Sequence, residues 1–336
     1  MRRARALLAA ALLVLLPATL DAGPDRLTLR IATIAPEGSP WHEIMIDLCQ
    51  VMEKNAPGKL RCRIYNNAVR GDEAAQVAAV RDGQLEGAGS SAGGALGVLP
   101  ELAPLWTPYL FRDETEVDLV FSGLKSQLQK ACARRGMVFA AMADVGFRHL
   151  GTKVPVPDAT WLRGKRFRSM ENPFHAEYIR RWGAESLTLG VSGVLPALET
   201  GRIDVWDQPP VYALGVGWFD VSKHYTLTGH LFDPGLLLLS KRFLDKLPAS
   251  VRGHITDGIE PITSRVRARV RQLNRDVLEI LRQRGVSVHQ PSPALLAGLQ
   301  EHGPEARAWL RGRIDAPGRE LMDAVDRVLA KARRAP

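Results

Sequence analysis

Residues 27–65, LTLRIATIAPEGSPWHEIMIDLCQVMEKNAPGKLRCRIY, decide the fold of this chain. The first six residues predict a β-strand. Ser39 is a good helix cap and Pro40 suits the first turn, so a helix is predicted from there to about Glu53. Residues 60–65 predict a second strand. A strand, a helix and a strand of these lengths indicate an α/β protein with a mainly parallel sheet.

The same alternation continues along the chain. A helix is predicted from Ala74 to about Asp82, a strand at 85–89, and a buried strand at 137–144 that closes the first unit. The pattern then restarts, with predicted strands beginning at Phe167 and at 186–189 and 203–206, separated by helices at 173–182 and 192–200. Two α/β units of one kind often hold a ligand between them, at the carboxyl ends of the strands.

A long helix is predicted after the second unit. Apolar residues from Val251 to Ile280 recur at steps of three and four, which is the helical period. Pro261 should kink this helix and Gly285 should end it. A helix of this length could brace both units, and residues 293–334 predict further helices.

Composition narrows the possible functions. The chain has 336 residues, 46% hydrophobic and 24% charged, which suits a globular protein of two domains. Its formal net charge is +9, but the arginines at 265–275 alternate with apolar residues at helical spacing, so we interpret them as a solvated helix face and expect no nucleic-acid partner. Metal-binding His or Cys pairs, phosphate loops and dinucleotide glycine patterns are not found in the sequence, so no metal and no cofactor are predicted.

The first 22 residues have the pattern of a secretory signal peptide. Arg2, Arg3 and Arg5 precede an apolar run at 6–16, and Ala22 offers a small residue for cleavage. The run is too short to cross a membrane comfortably, so an exported protein that does not itself span a membrane is predicted. Export permits a disulfide, for which Cys49 and Cys62 are the better pair; three buried thiols, with Cys132 as the third, are the alternative.

Two arginines are the strongest functional signal. Arg148 lies in VGFRHL (145–150) and Arg168 in GKRFR (164–168), and each is predicted at the end of a short strand. A guanidinium is planar and always charged, and it can hold a carboxylate by two parallel hydrogen bonds. Trp206, Asp207 and Gln208 follow another predicted strand. These three points could converge on a small organic anion.

Several short motifs are spread over most of the chain, and they are informative through their order and spacing. They are NNAVRGDE (66–73), LPEL (99–102), PYLFR (108–112), GFR (146–148), GKRFR (164–168), GA (183–184), ALETG (197–201), ID (203–204) and SKRFLDKLP (240–248). Together they resemble the substrate-binding subunits of TRAP transporters, the DctP-like family. The resemblance runs from Leu29 to about Leu247 and more weakly through the long helix.

The resemblance implies a two-domain periplasmic-binding-protein fold with mainly parallel sheets, crossing strands and a long bracing helix. Domain I would contain residues 25–145 plus about 234–273, and domain II residues 146–233 plus about 274–330, with a ligand cleft between them. It further implies a non-enzymatic periplasmic receptor that captures a small organic carboxylate by domain closure. The receptor would then deliver its ligand to a TRAP membrane permease driven by an ion gradient.

The resemblance also assigns roles to residues. The family's carboxylate-binding arginine corresponds to Arg168 and its second ligand arginine to Arg148, and Gln208 takes the polar position after the Ile-Asp strand. The other expected ligand-binding residues are Ser90, Ser91, Ile34, Val191, Trp206, Asp207, Phe174 and Glu73. Ile34 and Val191 stand where sialate-binding members carry a polar group and an aromatic one, which favours an aromatic, aliphatic or keto acid over a sugar acid.

Several of these residues have a structural alternative. Arg148 could pair with a carboxylate such as Asp144, and Gln208 could cap a helix that begins at Pro209. Trp206 could lie half in the core. Glu73 could simply place a negative charge favourably at a helix N-terminus.

Two other functions compete with transport. Residues 89–93 fit the G-x-S-x-G pattern of a serine hydrolase, with Ser91 as the nucleophile and a histidine such as His224, His230 or His254 as its partner. That short pattern often occurs by chance, and no oxyanion loop of the His-Gly-Gly-Gly type precedes it. The same binding fold could also serve as the input protein of a sensor, which the sequence does not distinguish from transport.

Overall fold

The computed structural model describes residues 26–257 and 259–334, so the predicted signal peptide lies outside the described residues. The strands in these ranges are β1 (Leu27–Thr33), β2 (Leu60–Tyr65), β3 (Gly87–Ser91), β4 (Met137–Thr152), β5 (Arg166–Ser169), β6 (Glu185–Thr188), β7 (Val205–Gln208), β8 (His224–Ser240) and β9 (Ser287–His289). They form one sheet in the order β2-β1-β3-β8-β4-β7-β5-β6, with β9 beside β8.

Helices cover the sheet and the two ends of the molecule. They are α1 (Pro40–Asn55), α2 (Glu73–Arg81), α3 (Ala92–Ala95), α4 (Glu114–Gly123), α5 (Lys125–Arg134), α6 (Pro173–Arg181), α7 (Val191–Glu199), α8 (Pro210–Gly215), α9 (Lys241–Leu244), α10 (Ala249–Asp257), α11 (Glu260–Gln283), α12 (Pro293–Glu301), α13 (Gly303–Arg311) and α14 (Ala316–Ala332), with 3-10 helices at Pro100–Leu105, Ala159–Leu162 and Trp218–Asp220. Across the described ranges, no helix combines the length and the apolar character needed to cross a membrane.

The α/β arrangement predicted from residues 27–65 is confirmed. Ser39 caps α1 by accepting a hydrogen bond from the amide of His42, at 3.4 Å. The apolar side of α1, which includes Leu48 and Met52, is buried against the sheet. β1 runs parallel to both β2 and β3. Parallel strands also make up the other half of the sheet, where β5 lies between β6 and β7.

Two long strands join the halves. β4 and β8 are antiparallel partners over their whole length, from the pair Met137–Ser240 to the pair Thr152–His224. The sequence predicted a strand at 137–144, so β4 was predicted too short. The backbone at Gly146 has a φ of 125°, which is not a strand conformation. A register shift between Asp144 and Gly146 accommodates this residue, so the pairing of β4 with β8 continues past it. Arg148 therefore lies inside a strand and not at the end of one.

The prediction of one long helix was wrong. The helix is divided into α10 and α11, and Pro261 stands in the first turn of α11 instead of kinking a continuous helix. The buried residues Leu321 and Val325 of the last helix, α14, pack with Val117 of α4, in the first half of the molecule. The predicted domain division stays a prediction.

Of the two alternatives for the cysteines, the structure shows the disulfide. Cys49 on α1 and Cys62 on β2 form a disulfide, with their Cα atoms 5.5 Å apart. Cys132 is a buried thiol. The disulfide ties the outermost strand of the first half to the helix that covers it.

Candidate functional site

A cavity, partly open to solvent, lies where the two halves of the sheet meet. α1 covers it on one side, and the crossing strands β4 and β8 form its floor. Its polar side chains gather near the ends of β1, β3 and β7. They are Thr33, Glu73, Ser90, Ser91, Gln208, Tyr212 and Asp233.

Arg168 is buried and has no negatively charged hydrogen-bond partner among the residues that the structure describes. It is the third residue of β5 and is 1% exposed. Its Nε donates to the carbonyl oxygen of Leu189 at 3.0 Å, and its guanidinium lies 5.7 Å from the ring centre of Trp218. The buried Nη1 has no hydrogen-bond partner. Burial lowers the pKa of Arg168 and repulsion from Arg148 lowers it further, yet an arginine stays protonated in a protein. The site therefore holds a cation ready to receive an anion.

Arg148 differs because protein carboxylates already surround it. Its Nε and Nη2 donate to the two carboxylate oxygens of Asp207, at 2.8 and 2.9 Å, and Nη1 donates to Asp233 at 2.8 Å. Nη2 also donates to the Asp207 carbonyl oxygen at 2.7 Å. Asp144, named from the sequence as a possible partner, is instead bound by Arg271 of α11 at 2.5 Å. Arg148 thus links β4, β7 and β8.

Two buried histidines complete this ion-pair cluster. Nε2 of His230 lies 3.0 Å from Oδ2 of Asp207, and Nε2 of His175 lies 3.3 Å from the same atom. Burial would raise the pKa of Asp207, but the charge of Arg148 outweighs it and holds that pKa well below the usual range. Burial lowers the pKa of His175 to about 4, so His175 is neutral at physiological pH. Asp207 is therefore a buried carboxylate committed to Arg148.

Two further buried polar groups beside the cavity lack partners. Gln208 ends β7, is 5% exposed, and has no hydrogen bond to its side-chain oxygen. Tyr212 in α8 is 4% exposed and its hydroxyl is unpaired. Burial raises the pKa of Tyr212 well above its usual value, so this hydroxyl keeps its proton and can donate. Sequence reasoning missed Tyr212; its position two residues into a helix that follows Gln208 was the available signal.

The Ser90–Ser91 loop is held by Glu73. Oε1 of Glu73 accepts from the Ser91 amide at 2.5 Å, and Oε2 lies 2.9 Å from the Ser91 hydroxyl. Burial raises the pKa of Glu73 to about 8, although the two hydrogen bonds from Ser91 act to lower it. The Ser91 hydroxyl also accepts from the Gly94 amide as the cap of α3. No hydrogen bond joins it to a histidine in the described part of the chain, which disfavours the hydrolase interpretation.

The apolar residues predicted for the site fall into two groups. Ile34 lines the cavity, and Val191 packs in the cluster that contains Ile34 and Tyr212. Trp206 is fully buried among Trp218 and other aromatic side chains, with its Nε1 bonded to Ser222 at 2.9 Å. Phe174 packs against Trp309 in the core cluster that also contains Trp106 and Tyr178. The structure therefore brings Ile34 to the cavity, places Val191 against the cluster beside it, and places Trp206 and Phe174 in cores.

Hydrogen bonds also cross between the two halves near the cavity. Asp72 caps α2 through Oδ1, which accepts from the Glu73 amide at 2.8 Å, while Oδ2 accepts from the Val191 amide at 2.9 Å. The Asn172 side chain donates to the Gly93 carbonyl oxygen at 2.8 Å. These bonds hold the two halves together. Within the described ranges, no group of three or more His, Cys, Asp or Glu side chains could hold a metal ion.

The comparisons with known proteins agree with this architecture. The DctP sequence profile, described as bacterial extracellular solute-binding protein, family 7, matches residues 31–306. The chain belongs to this family. A solute-binding protein of Verminephrobacter eiseniae is 31% identical over 263 residues, which are 78% of each chain. The 2,3-diketo-L-gulonate-binding periplasmic protein YiaO of Escherichia coli is 22% identical over 240 residues, 71% of this chain and 73% of that protein.

Solved structures of TRAP periplasmic solute-binding proteins share the fold. One from Desulfovibrio salexigens, with bound orotic acid, has a TM-score of 0.86 and 22% identity, and the match covers 90% of this chain and 99% of that one. One from Citrobacter koseri, with bound D-glucuronate, has a TM-score of 0.82 and 25% identity over 89% of this chain and 99% of that one. The resemblance to the DctP-like family seen in the sequence is thereby confirmed, and the chain is a solute-binding protein.

Proposed function

We propose that this family member is a periplasmic receptor that holds a small organic carboxylate on Arg168 and passes it, chemically unchanged, to a TRAP permease. Export through the predicted signal peptide, with cleavage near Ala22, would bring the receptor to that compartment. The carboxylate would lie at Arg168, whose charge reaches Tyr212, and the rest of the ligand would lie in the cavity that Gln208 and Tyr212 line.

The observation that carries the proposal is the missing counter-ion of Arg168. A buried charge in a folded protein is normally paired, because removing it from water is costly. Arg148 follows this rule with two carboxylates at 2.8 Å. In the described residues, Arg168 has one hydrogen bond, to a neutral carbonyl oxygen, and a buried Nη1 without a partner. A bound carboxylate would supply both the missing charge and the missing acceptor.

The side chains of Gln208 and Tyr212 support the same ligand. Both line the cavity, and the amide nitrogen of Gln208 and the protonated hydroxyl of Tyr212 can donate hydrogen bonds. The positive charge of Arg168 is close enough to lower the pKa of Tyr212 against the effect of burial. A cation with an amide and a hydroxyl beside it suits a carboxylate better than a cationic ligand.

Domain closure explains why the ligand and the two halves belong together. Closing the halves over Arg168 without an anion buries an unpaired charge, whereas closing them with a carboxylate buries an ion pair. A ligand shifts such an equilibrium only through its different affinity for the two states. The bonds of Asp72 to Val191 and of Asn172 to Gly93 would then stabilise the closed state.

Calorimetric titration of organic acids into the wild type and into Arg168→Ala tests the proposal. Removing one partner of a desolvated charge pair costs about 2–5 kcal/mol, so Arg168→Ala should weaken binding by about 30-fold or more. Arg168→Lys should not restore it, because an ammonium lacks the planar fork. The matched control is Arg166→Ala on the same strand, since Arg166 is 42% exposed and pairs with Asp204. Equal affinity of the wild type and Arg168→Ala would refute the site.

A further inference from the structure

The cavity continues past its polar end into an apolar chamber, which we call the tail chamber. Its roof is the buried side of α1, with Ile44, Met45 and Leu48. Its floor is formed by Ala141 and Ala143 of β4 and by Gly235 and Leu237 of β8, and Thr263 of α11 closes it. The polar end with Gln208 and Tyr212 belongs to the same cavity, so one molecule can reach both parts.

Small residues on the floor create the space. Ala141 is paired with Leu237 and Ala143 with Gly235 across the β4–β8 ladder, so all four residues face α1. Two alanines and a glycine leave room where larger side chains would touch the helix. At the entrance, the methyl group of Met45 lies over Gly89, where an added Cβ would come within 1.9 Å of it. Methionine is flexible and adapts to irregular apolar surfaces, so this roof can adjust to a ligand.

The tail chamber has few polar groups among the described residues, and those it has already have partners. The indole nitrogen of Trp41 already donates to the Asp144 carbonyl oxygen at 3.2 Å, and Thr263 already has an interaction partner. A sugar acid would bury hydroxyl groups there without acceptors or donors. Each such hydroxyl costs about 1–3 kcal/mol, so a polyhydroxylated ligand is disfavoured. A hydrocarbon chain loses nothing in this chamber and gains from leaving water.

We infer that the ligand is a monocarboxylate with an unsubstituted hydrocarbon tail, whose carboxylate lies at Arg168 and whose tail fills the chamber between α1 and the β4–β8 ladder. The inference rests on the proposed function, because it takes the carboxylate position from there. Its independent support is a cavity that the polar side chains of Gln208 and Tyr212 line at one end and apolar side chains line at the other.

A matched pair of six-carbon acids tests the inference. Hexanoate and gluconate both carry one carboxylate, and gluconate adds hydroxyl groups along the whole chain. Calorimetric titration should show hexanoate binding about 100-fold or more tightly, because at least two hydroxyls would be buried unpaired at about tenfold each. Burying a methylene contributes about fourfold in affinity, so hexanoate should also exceed butanoate by about 15-fold.

Variants that fill the floor separate the tail chamber from the carboxylate site. Ala143→Leu should reduce the hexanoate-to-butanoate affinity ratio from about 15 to below about 3, because the longer tail loses its space. Gly235→Ala is a milder variant that folds without strain, since the new Cβ would meet Ala143 atoms at 3.5 Å, and it should lower the ratio in the same direction. Val138→Leu is the control, because Val138 lies on the same strand but does not line the cavity.

The other outcomes distinguish a failure of the tail inference from a failure of the proposed function. If gluconate binds as tightly as hexanoate and Arg168→Ala abolishes its binding, the receptor function stands and the tail inference is overturned. An unchanged hexanoate-to-butanoate ratio in both floor variants overturns it as well. If neither gluconate nor any acid of the series binds the wild type, the proposed function fails and the tail inference fails with it.

Discussion

Asp207→Asn should destabilise the protein strongly, because it breaks the ion pair that joins three strands. The fully buried carboxylate of Asp207 accepts from Nε and Nη2 of Arg148, at 2.8 and 2.9 Å, and lies 3.0 Å from Nε2 of His230. An asparagine would put an amide NH₂ in place of one acceptor and leave Arg148 with Asp233 as its remaining counter-ion. Breaking a buried pair by removing one partner costs about 3–5 kcal/mol, and we expect a loss of unfolding free energy in that range.

Urea unfolding at pH 7, followed by circular dichroism, measures this loss. Asp204→Asn is the matched control, because Asp204 pairs with Arg166 at 2.8 Å but the two side chains are 32% and 42% exposed. An exposed pair contributes little, so the control should unfold close to the wild type. If Asp207→Asn loses less than about 1 kcal/mol, or no more than the control, the role of Arg148 as a structural cation would be refuted.

Three further outcomes are expected. The folded pKa of Glu73 is about 8, raised by burial from 4.5, so its contribution to stability is complete below pH 4.5 and is lost as the pH rises towards 8. The difference in unfolding free energy between the wild type and Glu73→Gln should therefore change over that window, and a constant difference would contradict it. Cys49→Ser should lower the unfolding free energy by about 2–4 kcal/mol, as should reduction of the wild type, and an equal stability with and without reductant would contradict this. Trp206→Phe should lower the melting temperature and leave ligand affinity within about threefold, because Trp206 packs away from the cavity. A large loss of affinity at unchanged stability would instead show that Trp206 belongs to the binding site.

The local elements could be predicted well from the sequence. Ser39 and Pro40 define the start of α1, and the apolar periods define β1, α1 and β2, because caps and periodicity are local signals. Arg168 could be singled out because an arginine near the end of an apolar strand is unusual and matches a family motif. The burial of Arg168 could be established only from the fold.

The errors in the sequence analysis concern contacts between distant residues. The buried strand was predicted to end at Asp144, but the β4–β8 ladder carries the chain past Gly146 with a register shift. The partners of Arg148 lie 59 and 85 residues away, so no local pattern could show that this arginine is already paired. Tyr212 was missed because its role depends on an unpaired hydroxyl at the cavity.

A crystal structure of the protein with its tightest-binding monocarboxylate tests the central claim most directly. We expect one carboxylate oxygen within hydrogen-bonding distance of Nη1 of Arg168, with Gln208 or Tyr212 donating to the same group. A well-ordered ligand whose carboxylate is bound elsewhere, while Nη1 of Arg168 stays unpaired, would contradict the claim that this buried cation is the anchor of the binding site.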